Sequence, residues 1–163
     1  MLFSLSGATQ IISAELQAAG LTCAMCSNAV QKSLQTLPFI EDVEPDLKNA
    51  SFALQFRNDQ SVSLDQIRKK VEDAGFSVAQ LQLSVRFVNQ EIKEGVAVVV
   101  GSLSFCFIDS KTKMLDGVQK LLLIDKYFTT EKKYKQYHQR IHSSACHQAI
   151  DGMPILYHVL MRE

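Results

Sequence analysis

Much that would assign a function at sight is missing from this sequence. Seventeen basic and seventeen acidic side chains cancel to a formal net charge of zero. That removes the electrostatic case for nucleic acid or an anionic membrane surface as a partner. No apolar run approaches the ~20 residues needed to cross a bilayer, so no direct membrane insertion is expected. Neither a Gly-rich phosphate-cradling loop nor a Gly-x-Ser-x-Gly elbow occurs, which leaves nucleotide and serine-hydrolase chemistry without a motif. Four cysteines in 163 residues lack the density of a disulfide scaffold. With seven glycines and three prolines, no Pro- or Gly-rich linker divides the chain. A hydrophobic share of 47% and a charged share of 21% are those of an ordinary soluble globular protein. The length suits one ample domain or two small ones.

Against this plain background one stretch stands out, Gly20-Leu21-Thr22-Cys23-Ala24-Met25-Cys26. An alternating apolar segment leads into it and a helical pattern leads out. Two cysteines at this spacing, on a strand-to-helix turn, can hold one soft metal ion between them. The spacing puts the second thiol in the first helical turn, where free N–H groups and the helix dipole favour thiolate. Thiolates select Cu(I), Zn(II) and related soft ions over Mg(II) or Ca(II). Two sulfurs cannot complete the tetrahedral shell of zinc, whereas Cu(I) is content with fewer ligands, so ligand count favours Cu(I). A redox dithiol shares the spacing. Thioredoxin-like proteins place a proline beside such a pair from a later strand, and neither Pro38 nor Pro45 is suitably located.

The residues around the motif set its context. Ile11 to Gln17 alternate as a half-buried strand. A helix from Ala24 is expected to bury Ala29, Val30, Ser33, Leu34 and Leu37 and to stop at Pro38. Phe39–Asp46 and Ser51–Arg57 read as a hairpin about an Asp46–Ala50 turn. Ser63 with Gln66 forms a capping-box pattern before a helix, Leu64–Ala74, whose stripe is Leu64, Ile67, Val71 and Ala74; Gly75 ends it. A strand from Phe76 to Val85 completes β-α-β-β-α-β, a ferredoxin-like α+β sandwich. With this order in place, residues 9–85 closely resemble the heavy-metal-associated (HMA) domain family of copper chaperones, metal-pumping ATPase amino-terminal domains and a periplasmic mercury-binding protein. The pieces that carry the resemblance are the Gly20–Cys26 loop, the Val43–Phe56 hairpin and Val71-Glu72-Asp73-Ala74-Gly75-Phe76.

The resemblance implies Cys23 and Cys26 as metal ligands, with Cu(I) foremost and Zn(II) or Hg(II) as alternatives. It implies that Phe76 lies beside the metal loop and that Thr22 is of the copper type, zinc-exporting relatives tending to carry Asp there. Leu21 replaces the common Met, a volume-conserving change at an inward-pointing anchor. The implied partner is a metal-transporting ATPase or another dithiol carrier, the ion passing by ligand exchange through a three-coordinate intermediate.

The flanks are less informative. Residues 1–8 begin apolar and end small, and read either as a frayed terminus or as the tail of a signal peptide. The compartment is accordingly cytoplasmic, or periplasmic or exported. In residues 86–163, Ile92–Val100, Leu103–Ile108 and Val118–Ile124 read as β, with turns at Lys93–Gly95, Asp109–Gly117 and Asp151–Pro154, and a closing strand Ile155–Met161. A helix, Glu131–Ala145, capped by Thr129 or Thr130, should turn Tyr134, Tyr137 and Ile141 inward, and Ala145 with them. The expectation is a small β-rich, OB-like domain. All four histidines fall here. His138, His142 and Cys146 recur every fourth residue, one stripe of a helix, with His147 adjacent: a candidate second metal site or simply a solvated face. Cys106, between two phenylalanines, reads as a buried thiol and His158 as structural. The reading is a metal-binding protein that transfers or senses copper and is not an enzyme. Alternatives are an accessory module whose second half binds a partner protein, and a dithiol oxidoreductase.

Overall fold

The structure is a computed structural model that describes residues 7–147 and 154–162, the His147 side chain excepted. Residues 1–6 of the segment 1–8, read as a frayed terminus or a signal-peptide tail, and residues 151–153 of the turn expected at Asp151–Pro154 lie outside the described residues.

Strand β1 (Gln10–Ala19) delivers the chain to the metal-type loop, and α1 (Ala24–Gln35) leaves it. Then follow β2 (Ile40–Asp46), β3 (Ser51–Phe56), α2 (Leu64–Asp73) and β4 (Ser77–Ile92). The hairpin register Val43↔Leu54 and the pairing of β1 with both β3 and β4 give the strand order β2-β3-β1-β4. This is the expected ferredoxin-like half. Its helices form for legible reasons. Cys23 and Ser63 sit extended at the N-caps and accept from the backbone N–H three residues on. Val30 and Leu34 on α1, and Leu64, Ile67 and Val71 on α2, are wholly buried against the sheet. Ala29 does not join them but lies on the exposed side of α1, because the buried stripe steps through Ser27, Val30 and Leu34 instead.

The second half departs from the sequence expectation. The alternation of Leu81 to Phe87, with no linker after it, implies a strand shared by the two halves, and β4 is that strand: it runs sixteen residues to Ile92, pairing with β1 along its first part and with β7 (Lys113–Leu123) from Gln82 onward. Beyond β7 come β8 (Ile155–Arg162), β6 (Leu103–Phe107) and the three-residue β5 (Val98–Val100). Among the described residues all eight strands form one sheet, β2-β3-β1-β4-β7-β8-β6-β5, with β6 and β8 parallel. No OB-like barrel closes among the described residues. The expected turn at Asp109–Gly117 shrinks, since Lys113–Gly117 extends β7, where Gly117 pairs with Phe87. One core spans both halves: Leu81, Leu83, Val85 and Phe87 on β4 are continuous with Phe105, Phe107, Leu121 and Val159.

Helix α3 (Glu131–Ser143), capped by Thr130, packs on a second, smaller cluster of Cys106, Ile108, Ile124 and Ile141, with Tyr134 and Tyr137 half-buried beside them. Along β6 the main core takes Phe105 and Phe107 while this cluster takes Cys106. Because side chains alternate across a strand, α3 covers the sheet face opposite the main core. A short 3-10 turn, Ala145–His147, follows α3. It is clamped twice. Cys146 is disulfide-bonded to Cys106, forty residues away, and Gly95 (φ +73°) approaches so closely that a Cβ there would lie 2.8 Å from the Ala145 Cβ.

Candidate metal centre

Gly20, at φ +85°, turns the chain from β1 into the loop, a conformation that L side chains rarely adopt. Leu21 then folds back against the core as the inward anchor that the resemblance implied. Cys23 is exposed and Cys26 half-buried, and both are free. Their sulfurs lie 2.8 Å apart, and the Cys26 N–H donates to Cys23 Sγ at 3.3 Å. Cys23 is the N-cap of α1, and the two thiols shift each other in opposite directions. The Cys26 thiol, followed by the Cys26 N–H, holds Cys23 below the ordinary thiol range. The same contact with Cys23, together with desolvation and the neighbouring charge, pushes Cys26 up. The spacing argument put the favoured thiolate on the second cysteine. The contacts lean toward the first, through the Cys26 thiol before the capped N–H.

The rim of this pair is apolar and open. Met25 is 83% exposed and Leu47, on the β2–β3 turn, 61%. Leu47 and Ala50 face Leu21, Thr22, Cys23, Ala24 and Ser27 across a shallow cleft of about 190 Å³. Met25 and Leu47 were not singled out from the sequence; the signal available was an apolar residue in an otherwise polar turn. Thr22 is exposed beside Cys23. Phe76 is half-buried, its ring 3.7 Å from where a Gly20 Cβ would lie, so it braces the start of the loop. A much larger cleft, about 760 Å³, lies between α2, β4 and α3 and contains neither thiol, but Ala19 and Ser77 line it, one residue from Gly20 and Phe76 respectively.

The second candidate cluster is not assembled as the spacing suggested. Helix α3 ends at Ser143, so Cys146 leaves the stripe, and its sulfur is bonded to Cys106. Cys106 is buried as expected but is not a thiol. His138 and His142 remain together on the exposed face, ring centroids 4.3 Å apart. The His147 side chain lies outside the described residues. Among the described residues, no three His, Cys, Asp or Glu side chains are arranged to hold one ion. His158 is structural: it is buried, its N–H donates to Asp125 Oδ2 and its Nδ1 lies 2.7 Å from Asp125 Oδ1.

Comparison with known proteins bears on the first half alone. The heavy-metal-associated domain family matches residues 15–77. A probable copper-transporting ATPase of Arabidopsis thaliana, HMA5, is 37% identical over 70 residues, covering 42% of this chain and 7% of that protein. The copper chaperone CopZ of Staphylococcus aureus is 29% identical over 63 residues, covering 39% of this chain and 91% of that one. Among solved structures, oxidized MerP from Ralstonia metallidurans CH34 is 26% identical, with a TM-score of 0.37, covering 44% of this chain and 97% of that one. The chain spans about a tenth of the length of the copper-transporting ATPases it matches. In the described residues no helix is long and apolar enough to cross a membrane. Residues 15–77 thus match the heavy-metal-associated domain family and are similar in sequence to a copper chaperone and to copper-transporting ATPases.

Proposed function

We propose that Cys23 and Cys26 together bind one Cu(I) ion and pass it to another dithiol protein. The observation that carries this reading is a pair of free, accessible thiols on a pre-folded turn, one of them held toward the thiolate by the other. A loop already shaped by Gly20, Leu21 and the α1 cap gives up little conformational freedom on binding. Two soft sulfurs suit Cu(I) better than Zn(II) or Hg(II) on donor number for zinc, and on the copper relatives for both. Exposure is what transfer needs. An incoming thiolate must reach the ion, form a third bond and release one original sulfur, whose place the departing ion leaves to a proton. The apolar rim of Met25 and Leu47 would desolvate against a partner at the same moment. A metal-transporting ATPase or a second dithiol carrier fits that role. The metal-handling unit of this reading is residues 9–85, with 86–163 as an extension of its sheet.

Of the two compartments open from the sequence, the Cys106–Cys146 disulfide favours the oxidising one. The test is anaerobic titration of reduced protein with Cu(I) against a chromogenic chelator, with Zn(II) and Hg(II) in parallel. One Cu(I) per chain, preferred over Zn(II), is expected. Failure to compete for Cu(I), or tighter binding of Zn(II), would refute it.

A further inference from the structure

Helix α3 lies outside the heavy-metal-associated domain, and its exposed face carries chemistry that the first site does not use. Tyr134, Tyr137 and Ile141 turn toward the sheet. His138 and His142 lie four residues apart on the exposed side, at neighbouring positions of one stripe. Their rings already meet, with centroids 4.3 Å apart and planes tilted by 55°. The Tyr134 ring stands edge-on to His138 at 5.4 Å, which restricts the nearer imidazole. Two imidazoles one helical turn apart are a known bidentate arrangement for a borderline divalent ion, and they need bring their nitrogens only to ~2.0–2.1 Å from it.

We infer that His138 and His142 form a second metal site, selective for Cu(II) and other divalent first-row ions and independent of the dithiol. Imidazole nitrogen suits Cu(II), Ni(II) and Zn(II), and the affinity order of such ions places Cu(II) at its head. Two adjacent nitrogens with water in the remaining positions satisfy the tetragonal preference of Cu(II). The disulfide contributes in two ways. Cys146 is tied to Cys106 just past the end of α3, so the last turn, which carries His142, is anchored against fraying. Its sulfur is also no thiolate, so the site has nitrogen donors alone, and the soft-ion chemistry of the loop stays at the loop. The molecule then separates two classes of ion by ligand type: soft at Cys23 and Cys26, borderline at His138 and His142.

The experiment uses the full chain carrying Cys23→Ser and Cys26→Ser, so that failure of the dithiol reading and failure of this one are distinguishable. Cu(II) is added at neutral pH against a weak competitor such as glycine, and the product is read by electron paramagnetic resonance. One Cu(II) per chain, with hyperfine splitting from two nitrogens, is expected. His138→Ala and His142→Ala should each weaken binding at least ~10-fold, and His147→Ala should leave it unchanged. His138 and His142 are exposed, and circular dichroism confirms that each variant folds. Binding that survives His138→Ala/His142→Ala, or that only His147→Ala abolishes, overturns the inference.

Discussion

The molecule contains two cysteine pairs whose surroundings are opposed in almost every respect. Cys23 and Cys26 are three residues apart, accessible and free; Cys106 and Cys146 are forty apart, buried and bonded. The first pair belongs to one turn, so local backbone geometry brings the two sulfurs together. The second pair meets only because α3 packs on the sheet and brings its following turn against β6. Local geometry makes a site for a ligand that comes and goes, whereas distant geometry makes a brace. The same residue type serves both ends because burial and loop length, not the thiol itself, decide its chemistry.

Cutting each pair should therefore give different losses. Cys23→Ser or Cys26→Ser halves the chelate and should weaken Cu(I) binding by orders of magnitude, read by anaerobic competition. Stability should scarcely change, because the main core is complete without metal. Cys106→Ser with Cys146→Ser should do the reverse. Releasing a loop of about forty residues costs roughly 4 kcal/mol on the chain-entropy account. A lower denaturation midpoint with Cu(I) affinity intact is the expected result. If the second variant also lost Cu(I) binding, the two regions would be coupled and the contrast would fail.

Smaller changes sharpen the same contrast. Gly95→Ala forces a left-handed backbone and a Cβ against Ala145, and should cost about 1–3 kcal/mol by loosening the turn that carries Cys146. Urea denaturation reads it, and the dithiol should be indifferent. Tyr157, which joins the halves through its hydroxyl to Asp65 Oδ2 (3.1 Å), adds a pH dependence. Burial, then the Asp65 carboxylate, pushes its phenol well above the ordinary tyrosine range. The unfolded chain loses that proton first, near pH ~10, so stability should fall as pH rises from there toward the folded pKa. Tyr157→Phe should lose less stability between pH 8 and 10.5 than the parent, measured by denaturant midpoints at both. The smallest effect is expected at Phe76, whose ring braces Gly20. Phe76→Ala should speed Cu(I) release to a chelator in stopped flow without changing stoichiometry.

The contrast also explains what the sequence made legible. The loop, the Ser63 cap and the buried stripe of α2 depend on residues within a turn or two of each other, so spacing alone exposes them. The β-α-β-β-α-β succession of the first half is likewise legible from its periods, ahead of any resemblance. The second half depends on contacts that leave no local trace. The alternation of Leu81 to Phe87 shows a strand common to both halves, but not that it runs on to Ile92 or that its free edge is taken by β7. Lys113–Gly117 is polar and ends in glycine, so it reads as a turn, but the register opposite β4 makes it strand. The stripe His138, His142, Cys146 was visible from its period of four. Its dissolution was not, because a partner forty residues away draws Cys146 out of it. The lean toward a Cys23 thiolate leaves no trace in the spacing, because it comes first from the Cys26 thiol and only then from the capped N–H.

The central claim is that one Cu(I) is held by the sulfurs of Cys23 and Cys26. X-ray absorption at the copper edge of the anaerobically loaded chain tests it most directly, because it counts and identifies the atoms bound to the ion. The account predicts a copper(I) edge with a first shell of two sulfurs and no nitrogen, and loss of that shell in Cys23→Ser. A first shell dominated by nitrogen, or a two-sulfur shell that persists in Cys23→Ser, would contradict it.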